Sequence, residues 1–296
     1  MNISKKLAPH YYFKQSPNQI DEQKTVDSFC DRQVTLLLAH LKHLFLSDNT
    51  NVILDFGCGS WGNLFFNLSA QPDLIKQYKV VYLGYDKAAL EIANDHYKKY
   101  ISLFSNSFKQ INCVFFNDLN KLRNQIYNQN TKCDIVILKN IMHELELSYF
   151  EKYFSFIDDV LRNTGYLIII DQIRLKHHEP KAIAWHYEDV ESFICRFLYY
   201  TSLPKFRSVD RILDEYEIDH QRTPFYSLVF QKTKKQRSND AKAIIKEFAI
   251  NSQRKRIDFL STHLTQTNLA KELEGTIYSN ELTQIRLQMS KAELIM

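Results

Sequence analysis

The sequence lacks the features of secreted, membrane-spanning and disulfide-linked proteins. Residues 1–19 contain no apolar segment typical of a signal peptide, and no apolar run approaches the roughly 18 residues of a membrane span. No C-x-x-C pair occurs among the five cysteines, which argues against a zinc site or a disulfide framework. We therefore expect a soluble, non-secreted protein of the cytoplasm that has no membrane partner.

A strong excess of one charge is also missing. The formal net charge is +4, which does not by itself indicate a nucleic-acid partner. Residues 232–256 depart from this balance, because they carry nine basic and two acidic side chains. The favoured interpretation is a solvated linker and helix face, and the alternative is a surface that contacts RNA phosphates or an acidic partner.

Glycine is scarce, and three of the six glycines stand within one stretch, residues 51–63, which read NVILDFGCGSWGN. The apolar start and the break at Gly57 and Gly59 predict a buried strand that ends in a tight, exposed turn. Together with Gly62, these glycines allow the backbone to approach a bulky ligand. Asp55 places a carboxylate at the end of the strand, where open α/β sheets hold their ligands.

Four further apolar runs predict strands that end in polar residues. They cover residues 80–85, 111–116, 134–138 and 166–170, and the residues that follow them are Asp86 and Lys87, Asn117 and Asp118, Lys139 and Asn140, and Asp171. The runs alternate with helix-length segments, which predicts an α/β fold with a doubly wound, mostly parallel sheet. Two closing strands are predicted at residues 215–218 and 225–230. Asp86 is suited to accept both ribose hydroxyls of a nucleoside ligand.

Two motifs resemble those of one enzyme family. Residues 54–59, LDFGCG, resemble the glycine-rich first motif of the class I S-adenosylmethionine (SAM) dependent methyltransferases. Residues 134–145, DIVILKNIMHEL, resemble the fourth motif of the small-molecule methyltransferases, in which an apolar strand leads into a helix start. The resemblance covers about residues 20–232 and implies a seven-stranded Rossmann-like sheet with SAM as the cofactor.

The resemblance also implies the cofactor contacts. Asp55 would lie near the cationic end of SAM. The turn that contains Gly57, Cys58, Gly59 and Gly62 would back onto the methionine and ribose. Asp86 and Lys87, which follow the second strand, are also expected to bind the cofactor. Asn117 and Asp118 would contact the adenine, and the backbone of Lys139 and Asn140 would pass the sulfonium. Residues 57–62 also fit the dinucleotide fingerprint G-x-G-x-x-G, so NAD(P) binding stays an alternative.

His143 is the candidate catalytic residue, expected one turn into the helix after the fourth strand. Its imidazole would take a proton from an acceptor hydroxyl or amine as the methyl group transfers. The alternative is that alignment alone suffices, because the sulfonium leaving group is already activated. His177, His178, His186 and Tyr187 could line the acceptor site. No metal site is expected, since no spacing such as H-E-x-x-H supports one.

The acceptor is not named by any motif. The sequence lacks the Asn/Asp-Pro-Pro-Tyr/Phe signature of amino-methylating DNA enzymes and the Pro-Cys nucleophile of cytosine-C5 enzymes. A small-molecule or protein acceptor is therefore favoured, with RNA behind it. Two other functions stay open: a catalytically inactive SAM-binding scaffold or partner subunit of a larger assembly, and an NAD(P)-dependent oxidoreductase.

The domain organisation is predicted in three parts. Residues 1–50 form an N-terminal arm and helices, and residues 51–235 form the SAM-binding methyltransferase domain, in which residues 172–208 cover the acceptor. Residues 236–296 contain no proline and one glycine, and their apolar positions recur at helical spacing. They predict a helical C-terminal extension that serves as a cap, a dimerisation element or an arm for a protein partner.

Overall fold

The structure is a computed structural model that describes residues 32–45, 50–59, 63–69, 78–87, 111–173, 175, 181–209, 225–263 and 269–292. The predicted N-terminal arm, the helix-length segment between Lys87 and the third predicted strand, and the strand predicted at residues 215–218 lie outside these residues. The chain divides into two compact units, residues 1–135 and 136–296.

The first unit contains three strands and three helices among the described residues. The strands are β1 (Thr50–Phe56), β2 (Lys79–Tyr85) and β3 (Ile111–Phe116), and the helices are α1 (Arg32–Leu44), α2 (Asn63–Ser69) and α3 (Leu119–Asn128). β2 pairs in parallel with β1 on one side and with β3 on the other, so that Gly84 lies opposite both Asp55 and Phe115. Six of the seven residues of β1 are buried, as expected for a parallel strand that is covered on both faces.

In the second unit, long strands and helices surround an aromatic core. Its elements are the last part of β4 (Cys133–Lys139), a 3₁₀ turn (Met142–Glu144), α4 (Leu147–Val160), β5 (Leu161–Gln172), α5 (Tyr187–Phe197), β6 (Thr201–Ser202), a second 3₁₀ turn (Pro204–Phe206), β7 (Ser208–Val209), β8 (Phe225–Gln231), α6 (Ala241–His263) and α7 (Leu269–Lys291). β8 pairs antiparallel with β5, β6 and β7, and Asp171 of β5 lies opposite Tyr226 of β8.

The strand order is β3-β2-β1-β4-β5-β8-β6, with β7 on β8, and the boundary between the units falls inside β4. This order confirms the predicted α/β class with a doubly wound, mostly parallel sheet that closes in antiparallel strands. The sheet has eight strands where seven were predicted, and two of them, β6 and β7, are only two residues long. A two-residue strand is too short to leave a period-2 pattern in the sequence.

The segment predicted to cover the acceptor contributes several aromatic side chains to the core. Trp185 and Phe193 are almost fully buried, and the Trp185 ring lies 4.6 Å from the ring of Phe248 on α6. Phe150 of α4 packs 5.5 Å from Phe193 and 5.6 Å from Phe248. Helix α6 also contacts α5 and α7, so both C-terminal helices belong to the packed second unit.

Gly84 is a position where any side chain meets the core of the first unit. A Cβ built on Gly84 overlaps the ring of Phe115 and lies 3.1 Å from Cys58 Sγ. We expect Gly84→Ala to lower the unfolding free energy by about 1–3 kcal/mol, because the added methyl group overpacks the contact between β2 and β3. Urea unfolding measures this loss.

Replacement of the obstructing ring provides the control. The double variant Gly84→Ala/Phe115→Leu is expected to be less destabilised than the sum of the two single variants, because leucine yields space to the new methyl group. If Gly84→Ala is as stable as the parent chain, the predicted clash does not exist.

Candidate functional site

The glycine turn after β1 is tied to the end of β2. Gly57 and Gly59 have φ angles of 87° and 67°, which residues with a Cβ rarely adopt. The backbone N–H groups of Gly57 and Cys58 donate to the carbonyl oxygen of Tyr85 at 2.7 and 3.1 Å. The turn thus has a defined conformation that depends on these two glycines.

Asp86 completes this turn. Gly59 N–H donates to Asp86 Oδ2 at 2.8 Å, so the structure brings together two of the predicted cofactor positions. A Cβ built on Gly59 has no described atom within 4 Å, which leaves space beside the turn. A carboxylate offers about four acceptor positions, so Asp86 can hold the turn and also accept ligand hydroxyls. The predicted Gly62 lies outside the described residues, and Lys87 is exposed.

Asp55 is buried at the end of β1 and accepts a hydrogen bond from Tyr82. The Tyr82 hydroxyl lies 2.5 Å from Asp55 Oδ2, and both side chains are at most 3% exposed. Burial and the charge of Asp55 raise the pKa of Tyr82 well above its usual value, so the phenol stays a donor. Sequence reasoning missed this pair. The pair depends on the register of β1 and β2, in which Tyr82 shares a face with Gly84 and Gly84 lies opposite Asp55.

Cys58 is a buried filler of the turn and has no nucleophilic character. Its side chain is 7% exposed, and burial raises the pKa of the thiol well above its usual value, with Asp55 and Asp86 acting in the same direction. The thiolate is the reactive form of cysteine, so a thiol of this kind is inert.

Asp118 follows β3 and begins helix α3. Its Oδ1 accepts the backbone N–H groups of Asn120 and Lys121 at 2.7 and 3.1 Å, which makes Asp118 the N-cap residue. Both Asp118 and Asn117 are exposed. The cap occupies one carboxylate oxygen, and the predicted contact of Asp118 with adenine stays a prediction.

In the second unit, Asn140 follows β4 in a left-handed conformation. Its φ is 53°, and its backbone N–H donates to the carbonyl oxygen of Ile170 at 2.8 Å. Asn140 Oδ1 is buried and accepts no hydrogen bond from any described residue. A buried acceptor left in this state costs about 1–3 kcal/mol, and such groups occur where a ligand supplies the missing donor.

His143 is held by Asp171. Nδ1 of His143 lies 2.5 Å from Asp171 Oδ1, the backbone N–H of His143 donates to Asp171 Oδ2 at 3.0 Å, and both side chains are at most 3% exposed. The carboxylate only accepts, so we assign the imidazole proton to Nδ1, which leaves a lone pair on Nε2. This is the arrangement of a general base that is oriented by a carboxylate.

The position of His143 differs from the prediction. It lies in the 3₁₀ turn, and α4 begins only at Leu147, whereas His143 was predicted one turn into a helix. Leu145 and Glu146 have extended backbone conformations, which separates the 3₁₀ turn from α4. Sequence reasoning noted Asp171 as a strand-end carboxylate and missed its pairing with His143.

No group of three or more His, Cys, Asp or Glu side chains in the described part of the chain is arranged to hold a metal ion. His177 and His178, which the sequence suggested as lining the acceptor site, lie outside the described residues. His186 immediately precedes α5, and burial together with Lys255 lowers the pKa of its imidazole.

The basic stretch at residues 232–256 is partly engaged within the second unit. Lys232 is buried and lies 2.9 Å from Asp158 Oδ1, and Arg237 lies 2.8 Å from Asp159 Oδ1. Lys255 and Arg256 pair with Asp189 and Glu281. At least four of the nine basic side chains therefore have acidic partners in the same chain, which leaves fewer of them for phosphates.

Glu281 of α7 is a buried carboxyl group with a shifted pKa. Burial raises its pKa from 4.5 to about 7, and Arg256 and the backbone of Ala184 oppose the shift. Arg256 Nε lies 3.0 Å from Glu281 Oε2. The carboxyl group therefore binds its proton more tightly in the folded chain than in the unfolded chain.

Glu281 is expected to make the unfolding free energy depend on pH. A raised folded-state pKa adds stability that is complete below about pH 4.5 and is lost as the pH rises through about 7. We expect the unfolding free energy of the parent chain, relative to Glu281→Gln, to fall by up to about 3 kcal/mol over that range. Urea unfolding at a series of pH values measures the difference.

Glu247 provides a matched control, because its contribution to the unfolding free energy depends on pH with the opposite sign. Glu247, on α6, is exposed, and its hydrogen bond with Arg196 lowers its pKa, so its contribution is lost as the pH falls. A difference between parent and Glu281→Gln that stays constant from about pH 4.5 to about pH 8 would contradict the raised pKa.

Comparison with known proteins gave matches only among solved structures. No family model and no curated protein sequence matches this chain. The similar structures include the S-adenosylmethionine-dependent methyltransferase SibL, at 14% identity, a TM-score of 0.39 and coverage of 67% of this chain and 55% of that chain. An O-methyltransferase family protein from Burkholderia thailandensis gives 10% identity, a TM-score of 0.40 and coverage of 77% and 63%.

An rRNA methylase from Streptococcus thermophilus is also similar, at 13% identity and a TM-score of 0.42, with 69% of this chain and 98% of that chain covered. The chain spans less than two thirds of the length of the first two proteins. All three TM-scores are below 0.5, so the fold assignment rests on the strand order. No helix in the described ranges is both long and apolar enough to cross a membrane.

Proposed function

We propose that this chain binds SAM at the glycine turn of the first unit and catalyses methyl transfer to an acceptor. The observation that carries the proposal is the hydrogen bond from Gly59 N–H to Asp86, which joins the turn to the carboxylate expected to hold the ribose. When bound, SAM supplies a methyl group on a sulfonium, which is already activated for transfer.

Each residue of the turn has a proposed task. Asp86 holds Gly59 and accepts the ribose hydroxyls through its remaining acceptor positions. Gly57 and Gly59 keep the backbone free of side chains beside the ligand. Asp55, which is fixed by Tyr82, provides a buried negative charge for the cationic end of SAM. Asn117 and Asp118 are proposed to contact the adenine.

In the second unit, His143 is proposed to remove the acceptor's proton. With its proton on Nδ1 and Asp171 beside it, the ring can accept a second proton at Nε2, and the carboxylate stabilises the imidazolium that forms. The backbone of Lys139 and Asn140 is proposed to border the cofactor's reacting end. This chemistry suits an acceptor with an O–H or N–H group, and among such acceptors we propose a small molecule or a protein.

Two alternatives keep a specific basis. A catalytically inactive SAM-binding scaffold would use the same glycine turn without needing His143. NAD(P) binding would use Gly57 to Gly62 and Asp86, but a dinucleotide fold generally keeps an apolar residue at the position of Asp55.

RNA as the acceptor has less support, because four of the basic residues of 232–256 pair with acidic groups of the same chain.

Transfer of a labelled methyl group tests the proposal. The purified chain is incubated with SAM that carries a radiolabelled methyl group and with separate metabolite, protein and RNA fractions of a cell lysate. Label in the metabolite or protein fraction, lost with Asp86→Ala, supports the proposed transferase. SAM binding without label in any fraction supports the scaffold, especially if a stoichiometric protein partner is captured.

A further inference from the structure

A loop formed by residues 181–185, which we call the clamp loop, holds the turn that carries His143. Ile183 N–H donates to the carbonyl oxygen of His143 at 2.8 Å, and Trp185 Nε1–H donates to the carbonyl oxygen of Met142 at 3.0 Å. Both donors bind main-chain oxygens of the turn, so the clamp loop fixes the backbone that presents the imidazole. Asp171 holds both the imidazole ring and the backbone N–H of His143.

The C-terminal helix α7 holds the clamp loop through Gln288. The side-chain Oε1 of Gln288 accepts the backbone N–H of Leu147 at 3.0 Å, and its Nε2 donates to the carbonyl oxygen of Lys181 at 3.1 Å. Gln288 is 4% exposed. One buried amide therefore joins the first residue of the clamp loop to the first residue of α4, just beyond the His143 turn.

Helix α6 holds the other end of the clamp loop through Arg256. Its guanidinium donates to the carbonyl oxygen of Ala184, and its Nε lies 3.0 Å from Glu281 Oε2 on α7. The group also stacks over the ring of Tyr278, 4.8 Å from its centroid. The acidic partner is 2% exposed. Arg256 therefore joins the clamp loop to α7 through its hydrogen bond with the Ala184 carbonyl oxygen and its charge contact with Glu281.

We propose that Gln288, Arg256 and Glu281 are positioning residues for His143, acting through the clamp loop. The C-terminal helices are then part of the proposed catalytic apparatus and not only a packing or partner-binding element. This inference rests on the proposed function for its effect on turnover, whereas its effect on the His143 ring does not depend on catalysis.

The test compares variants that remove the anchors with matched controls on the same helices. Gln288→Met keeps the side-chain volume and removes both hydrogen bonds, and Gln284→Ala changes the glutamine one turn earlier, for which the structure shows no partner among the described residues. Arg256→Lys keeps the positive charge beside Glu281 and loses the planar group that reaches Ala184, and its control is Arg254→Lys, at an exposed position.

The primary readout is the imidazole of His143 in protein labelled with ¹⁵N-histidine, with the signal identified by its absence in His143→Ala. We expect Gln288→Met and Arg256→Lys to shift the ring nitrogen signals and the pH titration of His143, and both controls to leave them unchanged. We also expect a loss of turnover of about 10- to 100-fold with KM for SAM nearly unchanged, because a small displacement of the base lowers the rate without removing cofactor contacts.

Ring signals and a titration of His143 that match the parent chain in folded Gln288→Met and Arg256→Lys would overturn the inference. If Gln288→Met does not fold, the more conservative Arg256→Lys decides the question alone. Shifted ring signals in a chain that transfers no methyl group would uphold the positioning role and refute the proposed transferase activity, so the two failures are distinguishable.

Discussion

His143→Ala is expected to lower turnover by about 100-fold or more while SAM affinity stays within about twofold of the parent value. The side chain is the proposed proton acceptor, and Asp171 holds it with one short contact to Nδ1 and one hydrogen bond from the backbone. Removal of the imidazole leaves alignment as the only remaining contribution to the rate. Single-turnover methyl transfer and a separate SAM titration measure the two quantities.

Asp171→Asn supplies the matched comparison. The asparagine keeps the shape of the side chain but can present an N–H group to Nδ1, which would move the imidazole proton to Nε2 and block the base. We expect a loss of turnover as large as that of His143→Ala, with the fold retained because the amide oxygen can still accept the backbone N–H of His143. Unchanged turnover in both variants would show that transfer needs no general base.

Asp86→Ala is expected to weaken SAM binding by about 100-fold or more, through the loss of charge-assisted hydrogen bonds worth about 1.5–3 kcal/mol each. The same change removes the acceptor for Gly59 N–H, which loosens the glycine turn. Asp86→Asn separates the two effects, because its amide oxygen can accept from Gly59 while the negative charge is lost. We expect Asp86→Asn to bind SAM more weakly than the parent chain and more tightly than Asp86→Ala.

Thermal unfolding provides the control for both Asp86 variants. Asp86 is half-exposed, so its replacement is expected to leave the unfolding midpoint close to that of the parent chain. Folded Asp86→Ala that binds SAM with the parent affinity would contradict the role of Asp86 as the ribose acceptor.

The strands of the sheet could be predicted from the sequence because their signals are local. β1 to β5 are apolar runs followed by polar residues; β1 to β4 were predicted to within a few residues, whereas β5 begins at Leu161, well before the run predicted at residues 166–170. The glycine turn could also be predicted from the sequence, because Gly57 and Gly59 stand where the backbone adopts left-handed angles that favour glycine. The two-residue strands β6 and β7 left no pattern to read.

The contacts between distant residues could not be predicted in the same way. His143 and Asp171 are 28 positions apart, and Gln288 meets Leu147 across 141 positions. A single sequence contains no signal for such pairs once each side chain is compatible with its own helix or strand. Asp118 was assigned to adenine by its place after a strand; its local geometry also makes it the N-cap of α3, and the adenine contact stays a prediction.

The central claim is that the glycine turn binds SAM, and calorimetric titration of the purified chain tests it most directly. The ligands are SAM, S-adenosylhomocysteine and NAD, each titrated into the parent chain and into Asp86→Ala. We predict micromolar binding of SAM and S-adenosylhomocysteine that is lost in Asp86→Ala, and no binding of NAD. Binding of NAD without SAM, or of neither ligand, would contradict the claim.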